Sequence, residues 1–290
     1  MKSAVVPLAM VLGWSVLAGV SASHAQGPAQ QATAQEKRNV AVVRDFWREV
    51  HQQFHGDVVP KYLAPAYVEH NNGGVNGSAH MAQMFGHPPP AARQMKTVSQ
   101  TVYARGPFVL LHQHRLIPDR AHPDGTIDLD MIEMLRVSDG LLQEHWMFFP
   151  AAHTPVMQPQ TEQEYKNIAV VTGFWHDVWE GRNGDAVPEY VASGYIEHGA
   201  GQANGREAVV QRFGHPLPQG APRQTVVSQT IYARGPFVLL HQQRTVSDPS
   251  QRAATRNVDM IEMFEVYDGL LQQHWALFPV QAGDAASWGE

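Results

Sequence analysis

Apolar positions along the chain fall into two stretches with the same rhythm. Val40, Val43, Phe46, Trp47, Val50 and Phe54 recur every three or four residues, which is one face of a helix. Ile168, Val171, Phe174, Trp175, Val178 and Trp179 trace the same stripe further along. Each stripe follows a Thr-x-x-Glu box, Thr33/Glu36 and Thr161/Glu164, in which side chain and backbone cap each other at a helix start. A second short helix is expected near Asp57 and near Asp185, with Pro60 and Pro188 in its first turn, where a missing N–H costs nothing. A third begins after Asn76 and Asn204 and stops at Gly86 and Gly214, each followed by His-Pro.

The pattern then changes to strands. Thr97–Ala104 and Phe108–Leu116 are joined by Arg105-Gly106-Pro107, and Thr126–Val137 and Leu141–Phe149 by Ser138-Asp139-Gly140. The second stretch carries the same set. Helices followed by a meander of antiparallel strands predict an α+β class, with helices packed on one face of a sheet. The strands are apolar on both sides (VLL, MIEML, HWMFF). An antiparallel strand with one wet face alternates, so the second sheet face is expected to be buried against the other copy, giving an intrachain pseudo-dimer.

Duplication is explicit in the sequence. Tyr103–Gln113 reads YARGPFVLLHQ, and so does Tyr232–Gln242; Asp130–Met134 and Asp259–Met263 both read DMIEM. Trp47, Tyr67, His70, Phe85 and His87 match Trp175, Tyr195, His198, Phe213 and His215 at a spacing one residue shorter, which places one inserted residue near Gly220. The chain of 290 residues therefore divides into domains at 33–150 and 161–280, a linker at 151–160 with Pro155 and Pro159, and a tail at 281–290. Each copy, at about 120 residues, is of ordinary domain size.

Composition removes several function classes. There is no cysteine, which excludes disulfides, thiolate metal sites and cysteine nucleophiles. Net charge is −6 and no basic stripe gathers, so nucleic acid is not an expected partner. Lys2, the apolar run Ala4–Val20 and Ser23-His24-Ala25 form a secretory leader pattern over residues 1–25. The expected location is periplasmic or secreted, with no membrane attachment after cleavage.

Four polar residues sit in apolar surroundings in each copy: His70, His112, Glu133 and His145, and again His198, His241, Glu262 and His274. Burying such groups unpaired is costly. A three-residue Ser138-Asp139-Gly140 loop places Glu133 directly opposite His145, and Glu262 opposite His274, a pairing that raises the imidazole pKa. A two-residue Asp-Gly turn places Trp146 opposite Glu133 instead. Asp130 and Asp259 fall on the other strand face, toward the contact between copies. His114 shares the face of His112, but the second copy has Gln243 there, so His114 has no role common to both copies. His87 and His215 read as cap residues, and Trp47, Trp146, Trp175 and Trp275 as packing.

Tyr67-Val68-Glu69-His70-Asn71, Asn76-Gly77, Val109–His112, Ile132–Gly140 and Glu144-His145-Trp146, with Tyr195-Ile196-Glu197-His198, Asn204-Gly205 and His274-Trp275, resemble the SnoaL-like group of the nuclear transport factor 2-like superfamily. That group includes polyketide cyclases and predicted aldol-condensation enzymes. The resemblance implies a cone-shaped domain, three helices against a curved sheet around an apolar pocket, present twice. The family's acid/base aspartate is Met147 and Ala276 here, its later glutamine is Pro150 and Pro279, and Asn71 becomes Gly199 in copy two. The standard cyclase mechanism therefore does not carry over. One reading is an aldol-type, cyclase or isomerase enzyme on a small apolar carbonyl compound. Glu133/His145 and Glu262/His274 then transfer protons, and Tyr67, His70, Asn71, His112, Tyr195, His198 and His241 hold the substrate. The other reading is a non-catalytic small-ligand or scaffold module. Three histidines and a glutamate also form a donor set for a divalent metal, but they lack a tight ligand spacing, and neither a metal nor another cofactor is assigned.

Overall fold

The computed structural model describes residues 32–71, 74–88, 96–119, 125–151, 160–199, 202–215, 224–247 and 255–280. The expected leader, the insertion near Gly220, linker residues 152–159 and the tail after Val280 lie outside the described residues. No described helix is long and apolar enough to cross a membrane.

Each copy opens with a capped helix, α1 (Ala34–Phe46) and α4 (Glu162–Phe174). Both reciprocal Thr/Glu boxes are formed. The capping glutamate has a second task. Glu36 Oε1 accepts from the Gly106 N–H at 2.9 Å, and Asn39 donates to the Gly106 carbonyl at 3.0 Å. Glu164 and Asn167 grip Gly235 in the same way. The helix start is thus tied to the turn between two strands. Beyond α1 and α4 the helix widens into a π-turn (Trp47–Gln52, Trp175–Glu180), which keeps Trp47, Val50, Trp175 and Val178 on the buried side. Short helices α2 (Val59–Tyr62) and α5 (Val187–Tyr190) follow, each with proline in its first turn. Helices α3 (Ser78–Phe85) and α6 (Arg206–Phe213) complete the layer.

The strands are β1 (Leu63–Glu69), β2 (Lys96–Arg105), β3 (Phe108–Pro118), β4 (Thr126–Ser138) and β5 (Leu141–Phe148). Their counterparts are β6 (Val191–Glu197), β7 (Thr225–Arg234), β8 (Phe237–Ser247), β9 (Thr255–Tyr267) and β10 (Leu270–Leu277). The two sheets are ordered β1-β5-β4-β3-β2 and β6-β10-β9-β8-β7. The expected meander is present, but it has an addition: β1 pairs with β5, and β6 with β10, in parallel. Pro65 and the immediate run-on from α2 hide β1 from a pattern reading, because a proline normally demotes a strand and here sits at a sheet edge.

Two helix-side cores form, one per copy, around residues such as Val43, Phe46, Tyr67 and Leu111, and Val171, Phe174, Tyr195 and Leu240. A third core joins the copies. Tyr103, Phe108, Leu110, Ile132, Met134, Trp146 and Phe148 pack against Tyr232, Phe237, Leu239, Ile261, Met263, Trp275 and Leu277. The sheets therefore lie face to face as an intrachain pseudo-dimer, which explains strands apolar on both sides. Chain continuations lock the joint: Pro150 bridges to Tyr232, Pro279 to Tyr103, and Val280 donates to the Val102 carbonyl at 2.8 Å.

Candidate functional site

The hairpin that positions the buried histidine follows neither turn expected from sequence in full. Asp139 and Gly140 are both left-handed (φ 54° and 75°), so the turn has two residues and Ser138 pairs with Leu141. A bulge then adds Gln143 to β5, and the register moves again. Glu133 faces Met147, not His145 and not Trp146; Glu262 faces Ala276. The extra residue re-aims the strand. His145 becomes a diagonal neighbour of Glu133 on the same sheet face, still within reach.

That face, toward the helices, carries a line of alternating charges. Arg115 on β3 meets Glu133 on β4 (Nη2–Oε1 2.9 Å), Glu133 meets His145 on β5 (Oε2–Nε2 3.5 Å), and His145 Nδ1 meets Glu69 on β1 at 2.9 Å. Tyr67 donates to Glu69 at 3.1 Å, and Asn71 binds Glu69 through its amide while accepting from Met147 N–H at 2.7 Å. Copy two repeats the line more tightly. Arg244 donates to Glu262 at 2.6 Å, His274 Nε2 lies 2.7 Å from Glu262, and His274 Nδ1 lies 3.0 Å from Glu197. The Gly199 N–H, at 2.8 Å from Glu197, replaces Asn71. In copy one two cations and two anions leave the line neutral, the condition under which buried ions are tolerated; in copy two the half-exposed Arg212 adds a further cation 3.6 Å from Glu197 at the outer end.

Protonation follows from these neighbours. Burial alone would lower the His145 imidazole, but Glu133 and Glu69 overcome it and push it up to about 10. Burial likewise opposes the His274 cation, but Glu262 and Glu197 push it up to about 9. Burial would raise Glu133 and Glu262, yet Arg115 and Arg244, with the histidines, hold each at about 2. Glu69 and Glu197 are lowered despite burial, chiefly by His145 and His274.

Not every residue singled out from sequence joins this line. Glu133, His145, Tyr67 and Asn71 do, as do Glu262, His274 and Tyr195. His70, His112, His198 and His241 do not: they occupy the opposite face, so the expected single pocket of all four polar residues is not formed. His70 stacks on Trp146 at 4.3 Å and meets Glu144 at 2.7 Å; His198 stacks on Trp275 at 4.4 Å and meets Gln273 at 2.8 Å. Their carbonyls accept from Arg234 and Arg105 of the opposite copy. His112 bonds Asp130 at 2.9 Å, His241 bonds Asp259 at 2.8 Å, and the two imidazoles meet edge-on at 4.4 Å. Tyr232 and Tyr103 cross over to Asp130 and Asp259, in line with the role expected of these aspartates. The 3-His-1-Glu metal set is thereby split between two faces.

Sequence reading missed Glu69, Glu197, Arg115, Arg244 and His51. The recurring Arg at the end of FVLLHQHR and FVLLHQQR, inside an apolar strand, was the available signal. His51 stacks on Trp47 at 4.1 Å, and burial holds it neutral, at about 4. Trp179 takes its place against Trp175 in copy two. Copy two also opens to a cavity of about 290 Å³ lined by Tyr195, Glu197, Gln202, Gln211, Arg212 and Val209, which reaches the outer end of the charge line.

No family model and no curated protein matches the chain. Solved structures of SnoaL-like and NTF2-like proteins are similar to it. One, provisionally called a SnoaL-like polyketide cyclase, from Jannaschia sp. CCS1, is 16% identical with a TM-score of 0.32, over 41% of this chain and 90% of its own. An NTF2-like protein of unknown function from Mesorhizobium loti is 15% identical with a TM-score of 0.32, over 42% of this chain and 97% of its own. A LEH-like epoxide hydrolase from M. tuberculosis is 16% identical with a TM-score of 0.31, over 39% of this chain and 83% of its own. At these identities and scores the likeness does not bear on chemistry.

Proposed function

We propose that the chain is a two-domain small-molecule-binding protein of the cell envelope or exterior that does not turn over its ligand at the buried histidines. The carrying observation is that each of His145 and His274 lies between two carboxylates and is held as a cation. A general base must be unprotonated and poised near working pH. The imidazoles are protonated well above neutrality, and carboxylates held at about 2 are weak bases. The position where the resemblance places an acid/base aspartate offers only Met147 and Ala276. The charge line instead stiffens the sheet behind a ligand site. In copy two that site is the cavity beside Glu197 and Arg212, whose lining fits a small polar molecule with a donor for the carboxylate and an acceptor for the guanidinium. The extracytoplasmic location rests on the leader pattern at residues 1–25.

The test is native mass spectrometry of the purified chain, followed by binding of the co-purified molecule to Arg212→Met, which copies Met84 of copy one. Loss of binding in a folded variant, without turnover by wild type, supports the reading. A rate with an imidazole-range pKa that disappears in His145→Ala overturns it.

A second reading, aldol-type or isomerase chemistry in copy one alone, is favoured by one observation. Arg115 Nε and Gln113 Oε1 are buried there without a hydrogen-bond partner, whereas Arg244 and Gln242 are bonded to each other and Arg244 to Glu262. Unpaired buried polar groups are expensive and mark places where a ligand or water completes the set. Turnover that survives His274→Gln and is lost in His145→Gln would select this reading.

A further inference from the structure

A separate polar cluster lies on the sheet face between the copies, away from both charge lines. His112 and His114 are two residues apart on β3, so their imidazoles leave the same face of the strand. Asp130 on β4 pairs directly with His114. Ligand atoms of these three residues all lie within 4.8 Å of one another, and His112 Nε2 is 2.9 Å from Asp130 Oδ1. All three side chains are partly buried at the rim of the joint. The other oxygen of Asp130 accepts a 2.9 Å hydrogen bond from the Tyr232 hydroxyl of copy two. That bond fixes the rotation of the carboxylate from behind, as outer-shell partners of metal ligands do. Asp128 lies 3.6 Å from His114 Nδ1 and is positioned to orient that ring.

We propose that His112, His114 and Asp130 bind one divalent transition-metal ion per chain. Two imidazoles and a carboxylate suit zinc, copper, nickel or ferrous iron, whereas calcium and magnesium prefer all-oxygen sets. Three protein donors leave a coordination position for water or an external ligand, the pattern of open rather than purely structural sites. Copy two carries the same frame with one change. His241 meets Asp259 at 2.8 Å and Tyr103 donates to Asp259 at 3.1 Å, but Gln243 stands in place of His114. A neutral amide is a poor ligand for these ions, so copy two is a two-donor site and a control within the same molecule.

The test uses the untagged full chain, stripped with a chelator. Zinc is titrated by isothermal calorimetry, and cobalt(II) by its visible absorption. Wild type is expected to take one equivalent, His114→Gln none, and Gln243→His two. Tyr232→Phe is expected to weaken zinc binding about 10- to 100-fold by freeing Asp130. Positions 114 and 243 are not in a packed core, and unchanged circular dichroism confirms folding of both variants. No saturable zinc binding by wild type, or one equivalent retained by His114→Gln, overturns the assignment. A Gln243→His chain still limited to one ion overturns the role given to the shared Tyr–Asp–His frame.

Discussion

Neutralising Glu262 isolates what the buried charge line contributes. Glu262→Gln preserves shape and leaves no cavity, so its effect is electrostatic. In the native chain Glu262 receives Arg244 at 2.6 Å and His274 at 2.7 Å, and the side chains of Arg244, Glu262 and His274 are only 4%, 6% and 12% exposed. Without the carboxylate, Arg244 is left with the neutral amides of Gln242 and Gln224, and His274 with Glu197 alone. Removing one partner of such a set costs about 3–5 kcal/mol, because the remaining ions stay desolvated. For a chain of this size each kcal/mol corresponds to about 2–4 °C, so melting falls by about 6–20 °C. The pH profile changes as well. The folded pKa of His274, about 9, lies above its unfolded value near 6.5. The stability it supplies is complete below the unfolded value and is lost as pH rises through about 9. In Glu262→Gln the histidine keeps one carboxylate instead of two, so its folded pKa falls and that loss is smaller and complete at lower pH. The assay is thermal melting by circular dichroism across a pH series. A variant melting within about 1 kcal/mol of wild type, below the ordinary cost of such a change, with an unmoved alkaline limb, would show that Glu262 does not hold the two cations.

Other consequences are separately measurable. Tyr103→Phe removes a hydrogen bond from the opposite copy to Asp259 and is expected to cost about 1.5–3 kcal/mol, read as a lower urea midpoint with unchanged slope. Trp275→Ala empties part of the core between the copies and is expected to cost about 3–5 kcal/mol in the same assay. At Gly184 an added Cβ would lie 2.5 Å from the Gly214 Cα, whereas at Gly194 it meets nothing within 4 Å. Gly184→Ala should therefore destabilise by about 1–3 kcal/mol, while Gly194→Ala stays within about 0.5 kcal/mol of wild type.

What sequence revealed and what it hid have physical causes. The capping boxes act over three residues, so Thr33/Glu36 and Thr161/Glu164 are legible locally, and the structure forms both. Burial of the second sheet face followed from strands such as Phe108–Leu111, which offer no wet side. Register was not legible. It depends on the left-handed Asp139-Gly140 turn and on the bulge at Gln143, and a bulge leaves no periodic trace. Glu133 and His145 still meet because diagonal neighbours on one face lie within side-chain reach. His112 was misplaced because its face is set by the β3–β4 pairing: Leu111 opposes Glu133, which sends His112 the other way. Glu69 and Glu197 were hidden with the parallel strand that carries them, since that pairing joins segments far apart in the chain.

Both buried histidines are held as cations between paired carboxylates. Nitrogen-15 NMR of the imidazoles of His145 and His274, assigned with His145→Gln and His274→Gln, tests it at about pH 8, above the ordinary histidine range. Both ring nitrogens are expected to be protonated in both residues. Neutral imidazole signals at that pH would contradict the charge line and return the histidines to the list of candidate bases.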